Sequence, residues 1–353
     1  MGCFGNKDKS SSKEEEILDS KKILLLGAGD SGKSTIFKQL QRIYNNGFPV
    51  EERILKKNVI YENVLRNMMS LIKATHTFQI PIENEDNRER AGKIDQLSSK
   101  VLLSIERVWS SELGLVITKL WEDPGVQRTF QKRSAFQIED SAQYYFDNLE
   151  RICEENYIPT EEDIVRARMK TTGLIEQKFV SHNTEFVMID VGGQRNERKK
   201  WIHHFEGVDV VLFVTSMSEF DQKCYEDDQT NRMKESLQLF EDHINSRWFT
   251  NAQVYLLFNK YDLFEQKINA GVRLQDTFET YTGEKDPNIA RDFIINLFTS
   301  KDINSKLVNV SCVTALDLAE LGKQIEAMIQ TIISRSKQQQ ENQNNQQQQP
   351  HHH

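Results

Sequence analysis

The sequence predicts an α/β protein, a mostly parallel sheet flanked by helices and interrupted by an all-helical insertion. The first observation behind this is the run Gly27, Ala28, Gly29, Asp30, Ser31, Gly32, Lys33, Ser34, Thr35, which fits G-x-x-x-x-G-K-[ST]. It lies between an apolar stretch at 23–26 that reads as a buried strand and a stretch at 35–43 whose apolar positions 36, 37, 40 and 43 fall on one helix face. The second is a block, 44–165, with helical spacing and no persuasive strand. The third is the return, from Thr171 onward, of short β-branched apolar runs separated by helical stretches, the pattern of a mostly parallel sheet. At 353 residues the chain suits two domains, or one large domain with an insertion.

The elements follow in order. Residues 1–21 form an N-terminal anchor segment, polar and loose over 5–15, with a short helix near 14–20. Within the insertion, 54–72 and 100–109 have apolar positions at helical spacing, as do 134–148 and 160–166, while 83–92 reads as a charged connection between helices. Residues 174–180 and 184–190 read as a strand pair, 208–215 and 254–259 as buried strands, and 230–245 and 286–299 as helices. A last strand at 308–313 and a last helix at 315–334 follow. From Lys337 the chain is Gln/Asn-rich and ends in three histidines, a low-complexity tail expected to be disordered. The expected domains are therefore 22–43 with 166–336, the insertion 44–165, and the tail 337–353.

A net charge of −8 and a pI near 5.6 argue against a general nucleic-acid binder. No apolar stretch approaches a membrane span, there is no signal-peptide core, and Cys3, Cys153, Cys224 and Cys312 have no metal or disulfide spacing. These features point to a soluble, reducing, intracellular setting, the N-terminus apart. There, Gly2 is a candidate for myristoylation and Cys3 for palmitoylation, and two acyl chains hold a membrane where one binds only marginally. The myristoylation pattern wants Ser or Thr at the sixth position, which here is Asn6.

The glycine loop points to phosphate. Its successive N–H groups and the following helix N-terminus can face phosphate oxygens, with Lys33 reaching the outer phosphates and Ser34 on Mg²⁺. Asp190, Val191, Gly192, Gly193 and Gln194 end a strand, where the Asp190 carboxylate can hold Mg²⁺ through water and the Gly193 N–H can meet a γ-phosphate. Asn259, Lys260 and Asp262 follow another strand end, and the Asp262 carboxylate can accept from both guanine N1–H and the 2-amino group, donors adenine lacks. Val165, Arg166, Ala167, Arg168, Met169, Lys170 and Thr171 lie where the insertion rejoins the sheet. A cation there can lie over the phosphates and Thr171 can complete the Mg²⁺ shell, or the group is a solvated basic helix end.

Together these segments resemble the alpha subunit of heterotrimeric G proteins, over about 22–334 and including the insertion and the Trp201 to Gly207 stretch. The resemblance implies a Ras-like P-loop GTPase domain with an inserted helical domain, and a GTP-hydrolysing switch. It implies Arg168 as a built-in arginine finger and Gln194 as the residue orienting the attacking water. It implies Cys312, Val313 and Thr314 as the loop capping the base, and Asp140 and Ser141 as the approach to the nucleotide from across the cleft. Loops 165–172 and 194–201 become two switches. The implied partners are a beta-gamma dimer, a seven-helix receptor, GTPase-accelerating regulators and effectors, at the cytoplasmic face of the plasma membrane.

Four departures stand out. Asp30 replaces the usual Glu, a shorter carboxylate expected to weaken a resting pair with the finger arginine. The lead before the first strand is short, which bears on beta-gamma binding. Val313 replaces Ala, and either crowds the purine or points into the core. The chain lacks the short apolar ending that receptors of this class read. The rival reading is a receptor-uncoupled, nucleotide-dependent scaffold of the same fold; a P-loop ATPase or kinase fits poorly, because Asp262 favours guanine.

Overall fold

The computed structural model describes residues 19–97 and 104–347. β1 (Asp19–Leu26) leads through the glycine loop into α1 (Lys33–Tyr44). The insertion then contributes α2 (Val50–Leu55), α3 (Lys57–Thr77), α4 (Glu85–Asp95), α5 (Ile105–Val108), α6 (Ser111–Trp121), α7 (Pro124–Phe130), α8 (Ala142–Asp147), α9 (Leu149–Ile152) and α10 (Glu161–Arg166). The chain returns through β2 (Leu174–Ser181), β3 (Thr184–Val191), β4 (Val210–Ser216), α11 (Arg232–Ile244), β5 (Gln253–Asn259), α12 (Tyr261–Asn269), α13 (Pro287–Thr299), β6 (Leu307–Cys312) and α14 (Leu318–Gln347).

The six strands form one sheet in the order β2-β3-β1-β4-β5-β6, with β2 antiparallel to β3 and the other pairs parallel. Strand periodicity places Ile23 and Leu25 on one face, packed with Leu40, Ile325 and Ile329 from α1 and α14. Leu24 and Leu26 face the other way, into a cluster with Phe240, Phe264 and Phe298 from α11, α12 and α13. Burial on both faces is why these strands read as continuous apolar runs. The insertion has its own core, in which Ile60, Val64, Leu65, Met68 and Leu71 of α3 meet Leu120, Tyr145, Ile152 and Ile164. Among the described residues no helix is long and apolar enough to cross a membrane.

The structure differs from expectation at several elements. Asp19 and Ser20 are strand rather than helix, because their backbone joins the parallel ladder opposite Thr184 and Glu185. Residues 83–92, expected as a connection, mostly form α4: the Asn84 side chain accepts from Asn87 N, Glu85 and Asp86 favour the helix N-terminus, and Ala91 and Ile94 bury one face. The expected helix at 134–148 breaks, Phe136 being extended and α8 starting only at Ala142. The final helix runs to Gln347, into the segment expected to be disordered; Gln, Glu and Lys are good helix formers, and an existing helix removes the nucleation cost. Gly2, Cys3, the rest of the 14–20 helix and the terminal histidines lie outside the described residues.

Candidate active site

The motifs at 27–35, 190–194, 259–262 and 312–314 leave the sheet at one edge, the carboxyl ends of the parallel strands, where ligands bind in open α/β sheets, and 165–171 enters the antiparallel β2 at that same edge. After β1 the chain turns through Gly32 at φ 102°, the residue capping α1; a Cβ there would collide with the Asn259 side-chain amide. Gly193 is needed for close approach, since a Cβ would lie 2.7 Å from the Ala28 carbonyl oxygen and against the Lys33 amine. Lys33 Nζ folds back over the loop, donating to the Gly27 and Ala28 carbonyls at 2.8 Å each. Burial pushes its pKa down to about 8, against the opposing pull of Asp190 and Asp30.

The three residues expected at a metal converge. Ser34 Oγ lies 2.9 Å from Thr171 Oγ1 and donates to Asp190 Oδ2 at 2.7 Å, and Thr171 Oγ1 donates to the same oxygen at 3.2 Å. Asp190 is buried, which raises its pKa despite Lys33, and its other oxygen, Oδ1, has no hydrogen-bond partner among the described residues. Trp201 Nε1 and Arg198 Nε hold the Gly192 and Gly193 carbonyls at 2.8 and 3.0 Å.

A cleft of about 790 Å³ opens between the sheet and the helical insertion, within the range of small-molecule sites. Gly29, Asp30, Gly32, Lys33, Ser34 and Thr35 line its floor, and Arg168, Thr171, Gly193 and Gln194 one side. Asp140, Ser141, Met169 and Lys170 close it from the insertion side, and Asn259, Lys260, Asp262 and Thr314 from the far end of the sheet. There Thr314 Oγ1 donates to Asp262 Oδ1 at 3.2 Å, while Asn259 ties the loops together, donating to the Ser31 carbonyl at 3.0 Å and accepting from Ala315 N at 2.9 Å.

A chain of charges crosses this cleft. Arg168 Nη2 donates to Asp30 Oδ2 at 2.8 Å, and Nη1 lies 3.9 Å from Glu139 Oε1. Arg232 Nη2 meets Asp30 at 3.1 Å and Glu219 at 3.0 Å. Lys260 Nζ meets Glu219 at 3.2 Å and Asp140, on the insertion side, at 2.8 Å. Burial alone would raise the Asp30 and Asp140 carboxyls, but their cationic neighbours outweigh it and hold both below the ordinary value.

A family model described as G-alpha, the G-protein alpha subunit, matches residues 6–333. The chain is 39% identical over 347 residues to the guanine nucleotide-binding protein alpha-1 subunit of Mycosarcoma maydis, covering 94% of this chain and 97% of that one. It is 40% identical over 314 residues to the guanine nucleotide-binding protein alpha-4 subunit of Caenorhabditis briggsae, covering 84% and 86%. It is 39% identical over 316 residues to the G(o) subunit alpha of Lymnaea stagnalis, covering 89% and 88%.

The chain belongs to the G-protein alpha subunit family. It is a GTP-binding signal transducer, and alpha subunits of this family are GTPases.

Within this alpha subunit some expected site residues sit elsewhere. Val165 is packed in the insertion core and Val191 in the sheet core. Arg166 pairs with Glu162 at 2.6 Å and lies over the Tyr144 ring, although it still borders the cleft. Val313 is fully buried with Ala315 and Leu321, so its extra methyl groups face the core, while Val313 N donates to the Phe258 carbonyl at 2.8 Å. Cys312 packs beside Met217, and the cleft is lined instead by Thr314, Ala315 and Leu316. The shorter Asp30 reaches Arg168 after all, at full hydrogen-bond distance.

Other residues at the site were not evident from motifs. Asn63 of α3 clamps the Arg168 backbone, accepting from its N–H at 2.8 Å and donating to its carbonyl at 3.0 Å. Lys38 donates to the Ala167 carbonyl at 2.5 Å and ties α1 to the same linker. Glu139, Glu219 and Arg232 complete the charge chain. Glu139 directly precedes Asp140 and Ser141, which the resemblance alone implied.

Proposed function

We propose that this alpha subunit is a Mg²⁺-dependent GTP switch that couples a membrane receptor to effectors through GDP/GTP exchange. The observation that carries the reading is the convergence of Ser34, Thr171 and Asp190, whose Oδ1 has no hydrogen-bond partner among the described residues, beneath a cleft whose wall carries Arg168 and Gln194. Two hydroxyls and one carboxylate are hard oxygen donors, too few for an all-protein cage, which fits an ion that keeps waters and takes phosphate oxygens. Mg²⁺ held there would neutralise charge on the phosphates. Backbone N–H groups of Gly29 to Thr35 and the Lys33 amine, released from the Gly27 and Ala28 carbonyls, bind the phosphates. Asp262 selects guanine, with Asn259 fixing the loops around it.

In the reaction, water attacks the γ-phosphorus in line, the bond to the β–γ bridging oxygen breaks, and GDP and phosphate leave. Gln194 orients the water. Arg168 leaves Asp30 and turns its guanidinium to the charge growing on the transferring group. Loops 165–172 and 194–201 respond to the γ-phosphate. Beta-gamma, a receptor, GTPase-accelerating regulators and effectors are the proposed partners, with acyl groups on Gly2 and Cys3 as the membrane anchor.

The test is co-purification with a beta-gamma dimer in GDP and in GDP–aluminium fluoride, the fluoride standing in for the transferring phosphoryl group. Binding with GDP and release with the mimic is the expected result. No binding in either state, with nucleotide bound in both, overturns the coupling and favours a nucleotide-dependent scaffold.

A further inference from the structure

We propose that Glu139 is a positioning residue for Arg168: from the insertion side of the cleft, its carboxylate holds the guanidinium back from the nucleotide. The inference rests on the reading of Arg168 as the group that stabilises the transferring phosphoryl.

Glu139 lies in the extended stretch before α8 and is buried. Asn67 of α3, itself buried, fixes it twice: Asn67 Nδ2 donates to Glu139 Oε2 at 3.0 Å, and Glu139 N donates to Asn67 Oδ1 at 3.1 Å. That grip leaves Oε1 facing Arg168 Nη1 at 3.9 Å. On the other side of the same guanidinium, Asp30 of the glycine loop takes Nη2 at 2.8 Å. Asp30 therefore hydrogen-bonds one end of the cation while Glu139 attracts the other across 3.9 Å, and both pulls compete with the transferring phosphoryl for the same guanidinium.

The remaining charged and titratable groups around Glu139 define how its charge state behaves. Arg66 of α3 lowers its pKa only as a minor contributor and is paired with Glu62. Asp30 repels it, and the Tyr145 hydroxyl of α8 is pushed up partly by it. Burial is the largest influence, opposed by Arg168 and the Asn67 amide, and the carboxyl is pushed up to about 7. Above that pH Glu139 is charged and Arg168 is pulled from both ends. Below it Glu139 is neutral, and only Asp30 competes with the phosphoryl group. Bound phosphates add negative charge, so in the GTP-loaded protein the midpoint lies at or above this value.

The experiment is single-turnover hydrolysis of GTP preloaded on the full chain with Mg²⁺, from about pH 6 to about pH 8.5, for wild type, Glu139→Gln, Asn67→Ala and Arg168→Cys. In wild type the rate is expected to fall about fivefold as pH rises, the effect of one long ion pair whose arginine is partly exposed. Glu139→Gln keeps the shape and the Asn67 contact but carries no charge; its rate should stay at the wild-type acid plateau. Any other group that titrates over this range does so in both proteins, so the difference between the two profiles isolates Glu139. Asn67→Ala removes a donor to the charged form and should move the midpoint to higher pH. This arm keeps the test open if Glu139→Gln fails to fold. An unchanged fall in Glu139→Gln, or an unmoved midpoint in Asn67→Ala, overturns the inference. Wild-type turnover in Arg168→Cys overturns the reading of Arg168 itself, whereas loss of turnover there with a pH fall retained in Glu139→Gln overturns the positioning role alone.

Discussion

At the scale of single residues, the site is defined by what each polar group is already bound to. Arg168 is anchored by its backbone to Asn63 and by its guanidinium to Asp30, so in the proposed reaction the guanidinium must first leave Asp30. Arg168→Cys or Gln194→Leu should therefore lower single-turnover hydrolysis by about a thousandfold while leaving GTP-analogue binding close to wild type. Normal turnover in either variant would contradict the assigned role. Gly29 gives a subtler case. Its backbone does not have positive φ, and a Cβ there would lie 2.5 Å from Gln194 Nε2. Gly29→Ala should fold with a melting temperature near wild type but displace the Gln194 amide, so hydrolysis slows without loss of nucleotide affinity; an unchanged rate would show that Gln194 does not work from this position. The glycine loop, the Asp190 to Gln194 stretch and the Asn259 to Asp262 stretch, which meet at the cleft, were legible in the sequence because each motif is contiguous and its chemistry is local. Glu139, Arg232 and Glu219 were not, since each becomes a site residue only when the fold brings a distant charge to it. The direction of the Val313 side chain stayed open in the sequence because motif position cannot say which way a strand-end side chain points; the structure turns it into the core.

At the scale of elements, α10 shows how a helix start controls the linker that carries Arg168. Thr160 and Asp163 form a reciprocal capping box, and Asp163 also accepts from Arg151 Nη1 at 2.7 Å, Tyr144 at 2.8 Å and Tyr157 at 2.9 Å. Burial would raise this carboxyl, but the Arg151 and Thr160 hydrogen bonds, with those from the tyrosines, hold it down to about 2 against an ordinary 3.8. A depressed carboxylate contributes stability that is fully present above its unfolded pKa and is lost as pH falls through the folded one. That contribution, about 2 kcal/mol, should therefore disappear between roughly pH 4 and pH 2. Asp163→Asn should lose a similar amount at neutral pH and flatten that acid limb, as read by urea unfolding at several pH values. A variant as stable as wild type at pH 7 would contradict it. The strands were legible because burial on both faces makes them apolar runs. α4 was not, because its helix depends on the Asn84 cap and on two buried apolar side chains, Ala91 and Ile94, within a mostly charged segment. The break at Phe136 was hidden because it is stabilised by tertiary contacts, notably Asn67 to Glu139, and not by any helix-breaking residue.

At the scale of the whole molecule, the insertion core is separate from the two apolar clusters on the faces of the sheet, and charged pairs span the cleft between insertion and sheet. Asp140 reaches from the insertion to Lys260, and Lys260 continues through Glu219 and Arg232 to Asp30 and Arg168. A nucleotide in the cleft would have the insertion as its roof, and leaves only when that roof lifts. Asp140→Asn removes the charge that pulls the roof onto Lys260 while keeping side-chain size. It touches neither the metal residues nor Arg168 and Gln194. GDP release should therefore accelerate, by about fivefold for a partly exposed pair, while hydrolysis of preloaded GTP changes little. The wild-type release rate should rise with added salt and the Asp140→Asn rate much less, since ions screen the pair only where it exists. Equal release rates in the two proteins at low salt would mean that apolar packing, not this ion pair, holds the cleft shut.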